Sequence, residues 1–384
     1  ISHLKILQIN ASYKPAYNYG GPTMSVSKLS EELVKAGCTV SVYTTTANGP
    51  NELQVTPNFA TRVEGVEVTY FKRITKDHSH LSPALLGTLW RNVKLYDVVH
   101  IHAWWNLVSV LSALVAQLKK VPVVVSPRGT LSYYSFSYKN SLFKKLFHSF
   151  LGRPLLNRSF IHATSPAEAQ SLKQLIKPHG VADIPNFVNI SPSANTKTAT
   201  GPVLKLIFFS RIDEKKGLDI LLHALALLKM SFHLTIAGNG NDNYVGVLKN
   251  IAHYNNTEEH ISWIGFQQNN KFALLADHDL MILPSHNENF GNVVIESLSA
   301  GTPVLISEHV GLAHYVTKNN LGWVCRAKPE SVADVINEIA IDQREKLHQI
   351  SKQAPAKIHA DFDNDKLAQR YVDLYRQIVK QHRP

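Results

Sequence analysis

The feature that most constrains this chain is an alternation of short apolar runs with helix-length amphipathic segments, and it occurs twice. The first half opens "KILQINASY", an apolar strand running into the loop "KPAYNYGGPT". A helical pattern follows in "MSVSKLSEELVKAG", ended by Gly37, and then a second strand, "CTVSVYTTT". Strand, loop, helix and strand make one βαβ unit, since apolar period two marks a strand and period 3.6 a helix. The second half repeats the order with "KLIFFS", the loop "RIDEKKG", the helix "LDILLHALALLK" and the strand "FHLTIAG". More apolar strands read at "DVVHIHA", "VPVVVS" and "FIHAT", and later at "HISWIGF", "DLMILPS" and "PVLIS". Such alternation predicts an α/β fold of parallel sheets with helices on both faces. Two doubly wound, Rossmann-like domains result. Ligands bind outside the carboxyl ends of strands in open α/β sheets, so two sheets facing each other place the expected site in a cleft between domains.

A length of 384 residues also favours two cores over one. The expected boundary lies near "DIPNFVN", where Pro185 is followed by the Ser/Thr-rich stretch "SPSANTKTATG". This gives domains over 1–185 and 186–365, and a periodic terminal helix over 366–384 with room to pack back on the first domain. Hydrophobic content of 44% and charge of 18% describe a globular protein. The apolar stretch "LVSVLSALVAQL", 107–118, is shorter than the ~20 residues of a membrane span. The lead "ISHLKILQIN" lacks the pattern of a signal peptide. Cys38 and Cys325 are far apart and form no metal-spaced cluster, so a reducing cytoplasm is the expected compartment.

The net charge of +11 is unevenly spread. No Asp or Glu occurs from Val98 to Ala167, a stretch that holds Lys119, Lys120, Arg128, Lys139, Lys144, Lys145, Arg153 and Arg158. An anionic partner on the first half follows: lipid headgroups, a phosphorylated acceptor or nucleic acid. Over 133–158 the bases alternate with Tyr138, Phe143, Phe147 and Phe150, as on a segment lying at an anionic membrane surface. The plainer reading is a packed helix with a solvated basic face.

The richest chemistry lies in "HNENFGNVVIESLSAGTPV", 286–304. Gly291 permits a tight turn after the "DLMILPS" strand, and Asn292 reads as the N-cap of a helix over "VVIESLSA". That first turn offers unpaired N–H groups and the positive end of a helix dipole, an anion site. Glu288 precedes the turn and Glu296 lies inside the helix, so the two carboxylates flank an anion instead of facing each other. Singly, Glu296 reads as a helix-surface residue and Glu288 as a solvated loop residue. Together they could accept hydrogen bonds from a sugar on one side and a ribose on the other. Neither is assigned to a core.

Glu288 through Glu296 forms E-x7-E, and "FGNVVIESLSAGTPV" resembles retaining glycosyltransferases of the GT-B fold, family 4 (group 1). "NYGGPTMSVSKLSEELVKAG", "DVVHIHAWW", "SPRGTLS", "IHATSPAEAQSL", "FFSRIDEKKGLDILLHAL" and "IAGNGN" extend the likeness, in family order, over nearly the whole chain. The resemblance implies an acceptor-side first domain and a nucleotide-sugar-binding second domain. It implies that Glu288 holds hydroxyls of the donor sugar and Glu296 the ribose. The turn of Phe290, Gly291, Asn292 and Val293 would meet the diphosphate through its amides, and backbone near Gly265 and Phe266 the base. Arg211 and Lys216 would neutralise the departing diphosphate, charge that develops in the transition state. Gly20 and Gly21 would bring first-domain backbone close to the donor. Many family members carry a histidine where this chain reads Pro127-Arg128-Gly129, so Arg128 and His102, at the ends of neighbouring strands, are both candidates beside the reacting sugar.

No metal or other cofactor is expected: "DHD" at 277–279 falls where a helix meets a strand, "DFDND" at 361–365 lacks a calcium loop's glycine, and the histidines show no HExxH. Implied partners are a nucleotide-diphosphate sugar and a glycan, or a polyprenyl-diphosphate or other lipid-linked acceptor, at the inner membrane face, in polysaccharide or glycolipid synthesis. A nucleotide-sugar epimerase on the same plan, a catalytically silent subunit and a basic nucleic-acid-binding protein are the alternatives. The last is disfavoured because no RNA-binding, helix-turn-helix or zinc spacing occurs.

Overall fold

The computed structural model describes residues 3–131, 147–192, 201–267 and 269–382. It divides into two compact units: Ile1–Phe187 with Asn364–Pro384, and Val188–Asp363.

The first unit is built on β1 (Lys5–Ile9), β2 (Thr39–Thr45), a small hairpin of β3 (Ala47–Asn48) and β4 (Asn51–Glu52), β5 (Ala60–Val63), β6 (Val66–Phe71), β7 (Val98–His102), β8 (Val123–Ser126), β9 (Phe160–Ala163) and β10 (Gly180–Asp183). The main sheet has eight strands in the order β10-β9-β8-β7-β1-β2-β6-β5. All its pairings are parallel except β5 with β6. That edge hairpin turns at Glu64 and Gly65, both with positive φ (48° and 86°), as a two-residue turn matched to strand twist requires. β5, β6 and β10 lie outside the strands read from the sequence. "ATRV" and "GVAD" are short and half polar because they line sheet edges, where only part of a strand is buried.

Successive strand residues point to opposite faces. On one face Leu7, Ile9, Val99, Ile101, Val123, Val125 and Ile161 pack with Leu85, Leu89, Val108, Ala113 and Leu155 from the covering helices in a single apolar core. The other face carries Gln8, His100, His102, Ser126 and His162, all buried. It is met by the chain's last helix, Asn364–His382, through a buried stripe of Leu367, Tyr371, Tyr375 and Ile378 at helical spacing.

The second unit holds β11 (Leu204–Phe209), β12 (Phe232–Ala237), β13 (Ile261–Gly265), β14 (Leu280–Leu283), β15 (Val304–Ser307) and β16 (Gly322–Cys325). Its six-stranded sheet runs β13-β12-β11-β14-β15-β16. All strands are parallel. The chain winds outward from β11 and then returns to β14 on its other side, so the strand order reverses between β11 and β14. The first unit has the same reversal between β1 and β7. Ligands of doubly wound sheets settle at the carboxyl ends beside such reversals.

Among the described residues no helix is long and apolar enough to cross a membrane. The basic, aromatic segment at 133–158 lies outside the described residues as far as 146.

Candidate functional site

In the second unit the loops leaving β11 and β14 are locked together. Gly217 has φ +70°, and a Cβ there would lie 2.2 Å from the Pro284 carbonyl oxygen. Only glycine lets the first loop lie against the end of β14. The His286 amide then donates to the Lys215 carbonyl at 2.8 Å. This clamp brings Lys216 to Glu288, and the two form an ion pair with side chains only 15% and 18% exposed. Glu288 is itself anchored through its backbone, donating to the His309 carbonyl and accepting from the Gly311 amide. Arg211, at the start of the same loop, stands mostly in solvent, 3.6 Å from Asp213. Of the two expected phosphate cations, the structure thus sets Lys216 against the first glutamate and leaves Arg211 exposed.

The following helix runs Asn292–Ser299, and Gly291, at φ +93°, occupies its N-cap. Asn292 is therefore the first helical residue and not the cap, correcting the sequence expectation. A Cβ on Gly291 would come within 3.1 Å of Val310 and 3.3 Å of Val294, which is why the chain turns there on glycine. Gly291 brings no side chain of its own to that positive end. Asn292 and Val293 are partly exposed at that end. Phe290 is buried and meets Phe362 edge-on at 6.4 Å. Its ring is core, so its place among the ligand-binding residues reduces to its backbone.

Glu296 is also buried, at 8% exposure, against the expectation that neither glutamate joins a core. Its carboxylate accepts from Lys271 Nζ at 2.9 Å, and Lys271 lies 5.7 Å from the centre of the Phe209 ring at the end of β11. The sequence did not disclose Lys271 as the partner of Glu296, because the helix carrying it, Lys271–Ala276, is too short to show a periodic face. At the end of β13, Gly265 takes φ +70° and Phe266 projects its ring into solvent at 59% exposure. In "DHD", Asp279 accepts from the Lys205 amide at 2.8 Å and the exposed Asp277 faces Lys205 Nζ at 3.4 Å. Among the described residues no group of acids, histidines and cysteines could hold a metal ion.

In the first unit Gly20 takes φ +65°, whereas Gly21 is already the first residue of the helix Gly21–Lys35. The loop read over "KPAYNYGGPT" thus ends at Gly20, and Gly21 belongs to the helix. His102 ends β7 and is completely buried. Its Nε2 meets Gln8 Oε1 at 2.6 Å and its Nδ1 accepts from Arg128 Nε at 3.2 Å. Both ring nitrogens are occupied, and His102 is placed to hold Arg128. Arg128 follows β8, partly exposed, and donates through Nη1 to Asn186 Oδ1 at 2.5 Å. Its backbone has φ +52° and that of Ala103, after β7, +61°. Left-handed non-glycine backbone costs on the order of 1–2 kcal/mol, and such strain gathers at functional sites.

His100 and His162 join this cluster. His100 bridges Tyr375 Oη (2.7 Å) and Ser126 Oγ (2.6 Å), and Ser126 continues to His162 Nδ1 at 2.6 Å. Burial pushes His100 and His102 well below the usual histidine range and His162 down to about 3. These rings are neutral. The one sequence signal for them was histidine at strand period in "HIH" and "FIHA".

Two family models match the chain: "Glycosyltransferase Family 4" over residues 19–192 and "Glycosyl transferases group 1" over residues 195–357. The chain is 26% identical to glycogen synthase of Mycobacterium tuberculosis over 407 residues, covering 97% of this chain and 94% of that one. It is 24% identical over 317 residues to the GDP-mannose:cellobiosyl-diphosphopolyprenol alpha-mannosyltransferase of Xanthomonas campestris, covering 81% of each. Among solved structures, sucrose-phosphate synthase from Thermosynechococcus elongatus superposes with a TM-score of 0.77 at 19% identity, over 99% of this chain and 100% of that one. Anabaena HepE in complex with UDP and glucose superposes at 0.74 and 21% identity, over 98% and 100%. These two likenesses establish the fold.

Proposed function

The chain belongs to the family 4, group 1 glycosyltransferases, of the GT-B fold with two Rossmann-like domains, and we propose that it is a retaining, metal-independent hexosyltransferase. Its donor is a nucleotide-diphosphate sugar, and its acceptor a hydroxyl of a glycan or of a lipid-linked oligosaccharide. The observation that carries this reading is the clamp between the loops after β11 and β14. It sets Lys216 against Glu288 beside the start of the 292–299 helix, where the N-cap is glycine. A diphosphate at that helix start would meet backbone amides and the Lys216 ammonium, with Arg211 as a further cation. Groups fixed before the reaction stabilise leaving-group charge without reorganising, and one such donor contributes about 10²–10³ in rate. Glu288 is assigned to the transferred sugar and Glu296 to the ribose.

HepE is described with UDP and glucose, and the Xanthomonas relative is named for GDP-mannose, so UDP- and GDP-sugars head the donor panel. The second name also carries a diphosphopolyprenol acceptor, which supports a lipid-linked acceptor for this chain. Phe150, 79% exposed, and the exposed Arg153 and Arg158 suit peripheral association with the inner face of an anionic membrane. The site of action would then be cytoplasmic, in surface polysaccharide or glycolipid synthesis.

The test is a thermal-shift panel of UDP-, GDP- and ADP-sugars, followed by turnover of the stabilising donor with a polyprenyl-diphosphate glycan, with and without EDTA. A donor at about a hundred times its Kd adds roughly 2.7 kcal/mol of stability. Expected are a donor-specific shift, an α-configured product from an α-configured donor, and turnover indifferent to EDTA. An inverted product rejects retention, and activity lost in EDTA and restored by Mn²⁺ or Mg²⁺ rejects metal independence. Product formed from donor alone, without an acceptor, would point to an epimerase.

A further inference from the structure

The hydrogen bonds around Arg128 can be assigned one by one, because a guanidinium only donates. Arg128 Nε donates to His102 Nδ1 at 3.2 Å, so the neutral His102 carries its proton on Nε2 and donates to Gln8 Oε1 at 2.6 Å. The Gln8 amide nitrogen is thereby turned to Tyr375, to which it donates at 3.4 Å. Tyr375 Oη, already accepting, donates to His100 Nδ1 at 2.7 Å. His100 Nε2 donates to Ser126 Oγ (2.6 Å), and the Ser126 hydroxyl to His162 Nδ1 (2.6 Å). His162 Nε2 ends the chain on the Ile184 carbonyl at 2.8 Å, with Tyr371 Oη a second acceptor at 3.0 Å. One polarity satisfies every link, and reversing any of them would set two donors or two acceptors face to face.

We infer that Tyr375, on the last helix of the chain, is a positioning residue for the transfer reaction: it holds the Gln8 amide whose oxygen accepts from His102 Nε2–H, and His102 in turn holds the guanidinium of Arg128. The opposite face of the same strands is filled with aliphatic side chains, so stability alone did not call for polar groups here. A buried polar group without a partner costs about 1–3 kcal/mol, which makes each link depend on the next. The row ends at Arg128, whose backbone is strained and whose Nη2 meets no acceptor among the described residues. The carboxylate nearest in charge, Glu168, is occupied by the amides of Gly129 and Thr164 and the Thr164 hydroxyl. Arg128 therefore keeps one donor edge for an anionic group, such as a phosphate of donor or acceptor. Burial pushes all three histidines below their usual range, which keeps them neutral and the polarity fixed.

This inference rests on the transferase reading for its kinetic arm but not for its spectroscopic one. Tyr375→Phe keeps the ring and removes the hydroxyl; Gln8→Met keeps the length and removes the amide. In the full chain, side-chain ¹⁵N shifts should report His102 protonated on Nε2 in the parent, and in either variant that Nε2 shift should move as its acceptor is displaced or lost. Transfer by either variant should fall about tenfold, a coupling typical of groups in one network. Combined with Arg128→Ala, neither should slow the enzyme further. Unchanged His102 shifts in both variants, or losses that multiply with that of Arg128→Ala, overturn the inference. If no sugar is transferred by the parent, the transferase reading fails and the ¹⁵N spectra still decide the positioning. Should Tyr375→Phe fail to fold, Gln8→Met carries the same two readouts.

Discussion

Lys216 and Glu288, 72 residues apart in the chain, form an ion pair at the carboxyl ends of β11 and β14, the adjacent strands between which the second sheet reverses. The pair joins the expected phosphate cation to the expected sugar ligand before any donor arrives. Glu288 thus competes with a diphosphate for the Lys216 ammonium.

Glu288→Gln is expected to depress kcat by about 10²-fold or more, since its contacts are assigned to the ring that changes most as the bond breaks. Free nucleoside diphosphate, which lacks the sugar, should bind as tightly as before or more so, because Lys216 loses a competing carboxylate. Initial rates and calorimetric titration check this. Parent-rate transfer, or weakened nucleotide binding, would contradict the assignment.

Glu296→Gln should weaken nucleoside diphosphate binding by about 1.5–3 kcal/mol, the contribution of a hydrogen bond to a charged group. Because Glu296 is buried against Lys271, the variant should also lose stability, by about 1–3 kcal/mol. Urea titration of the apo protein measures the second effect separately. Glu288→Gln serves as the contrast, with a smaller loss.

Gly217→Ala is expected to destabilise by at least about 1–2 kcal/mol from its left-handed backbone alone. The clash with Pro284 should also unseat Lys216, abolishing the donor-dependent thermal shift. Gly246, in the helix Asp242–Tyr254, has open space where a Cβ would go, so Gly246→Ala should stabilise by about 0.5–1 kcal/mol and leave the shift intact. Equal behaviour of the two variants would remove the argument for the loop clamp.

Stability should fall as pH drops below about 6.5, the unperturbed histidine value. His100 and His102 are held well below that value, His162 at about 3 and His80 at about 4, chiefly by burial. The unfolded chain then binds protons that the folded chain refuses, so unfolding is favoured by up to about 1.4 kcal/mol per histidine at one pH unit below 6.5. Their contribution is fully present above pH 6.5 and shrinks steadily below it. Denaturant midpoints between pH 7.5 and 5.5 test this, and a flat profile would mean that these rings are charged when folded.

Much of the architecture was legible in the sequence. Runs such as "VPVVVS" and "DLMILPS" are apolar because both faces of a parallel strand are buried, and that burial is written locally as composition and period. The E-x7-E spacing likewise placed one glutamate before a glycine turn and another within a helix. What the spacing could not convey was partner choice. Lys271 reaches Glu296 across 25 positions, and Tyr375 reaches His100 across 275. Nor did it show that Phe290 is core, that His102 is sealed from solvent, or that β5 turns back antiparallel beside β6. A periodic pattern says which face of an element is buried, because burial acts on each residue separately. It does not say against what, because that depends on how distant segments are brought together. The last helix makes the point most clearly. Its apolar stripe at helical spacing predicts only that it packs on something, and the tertiary structure decides that Tyr371 and Tyr375 meet His162 and His100 in the first unit.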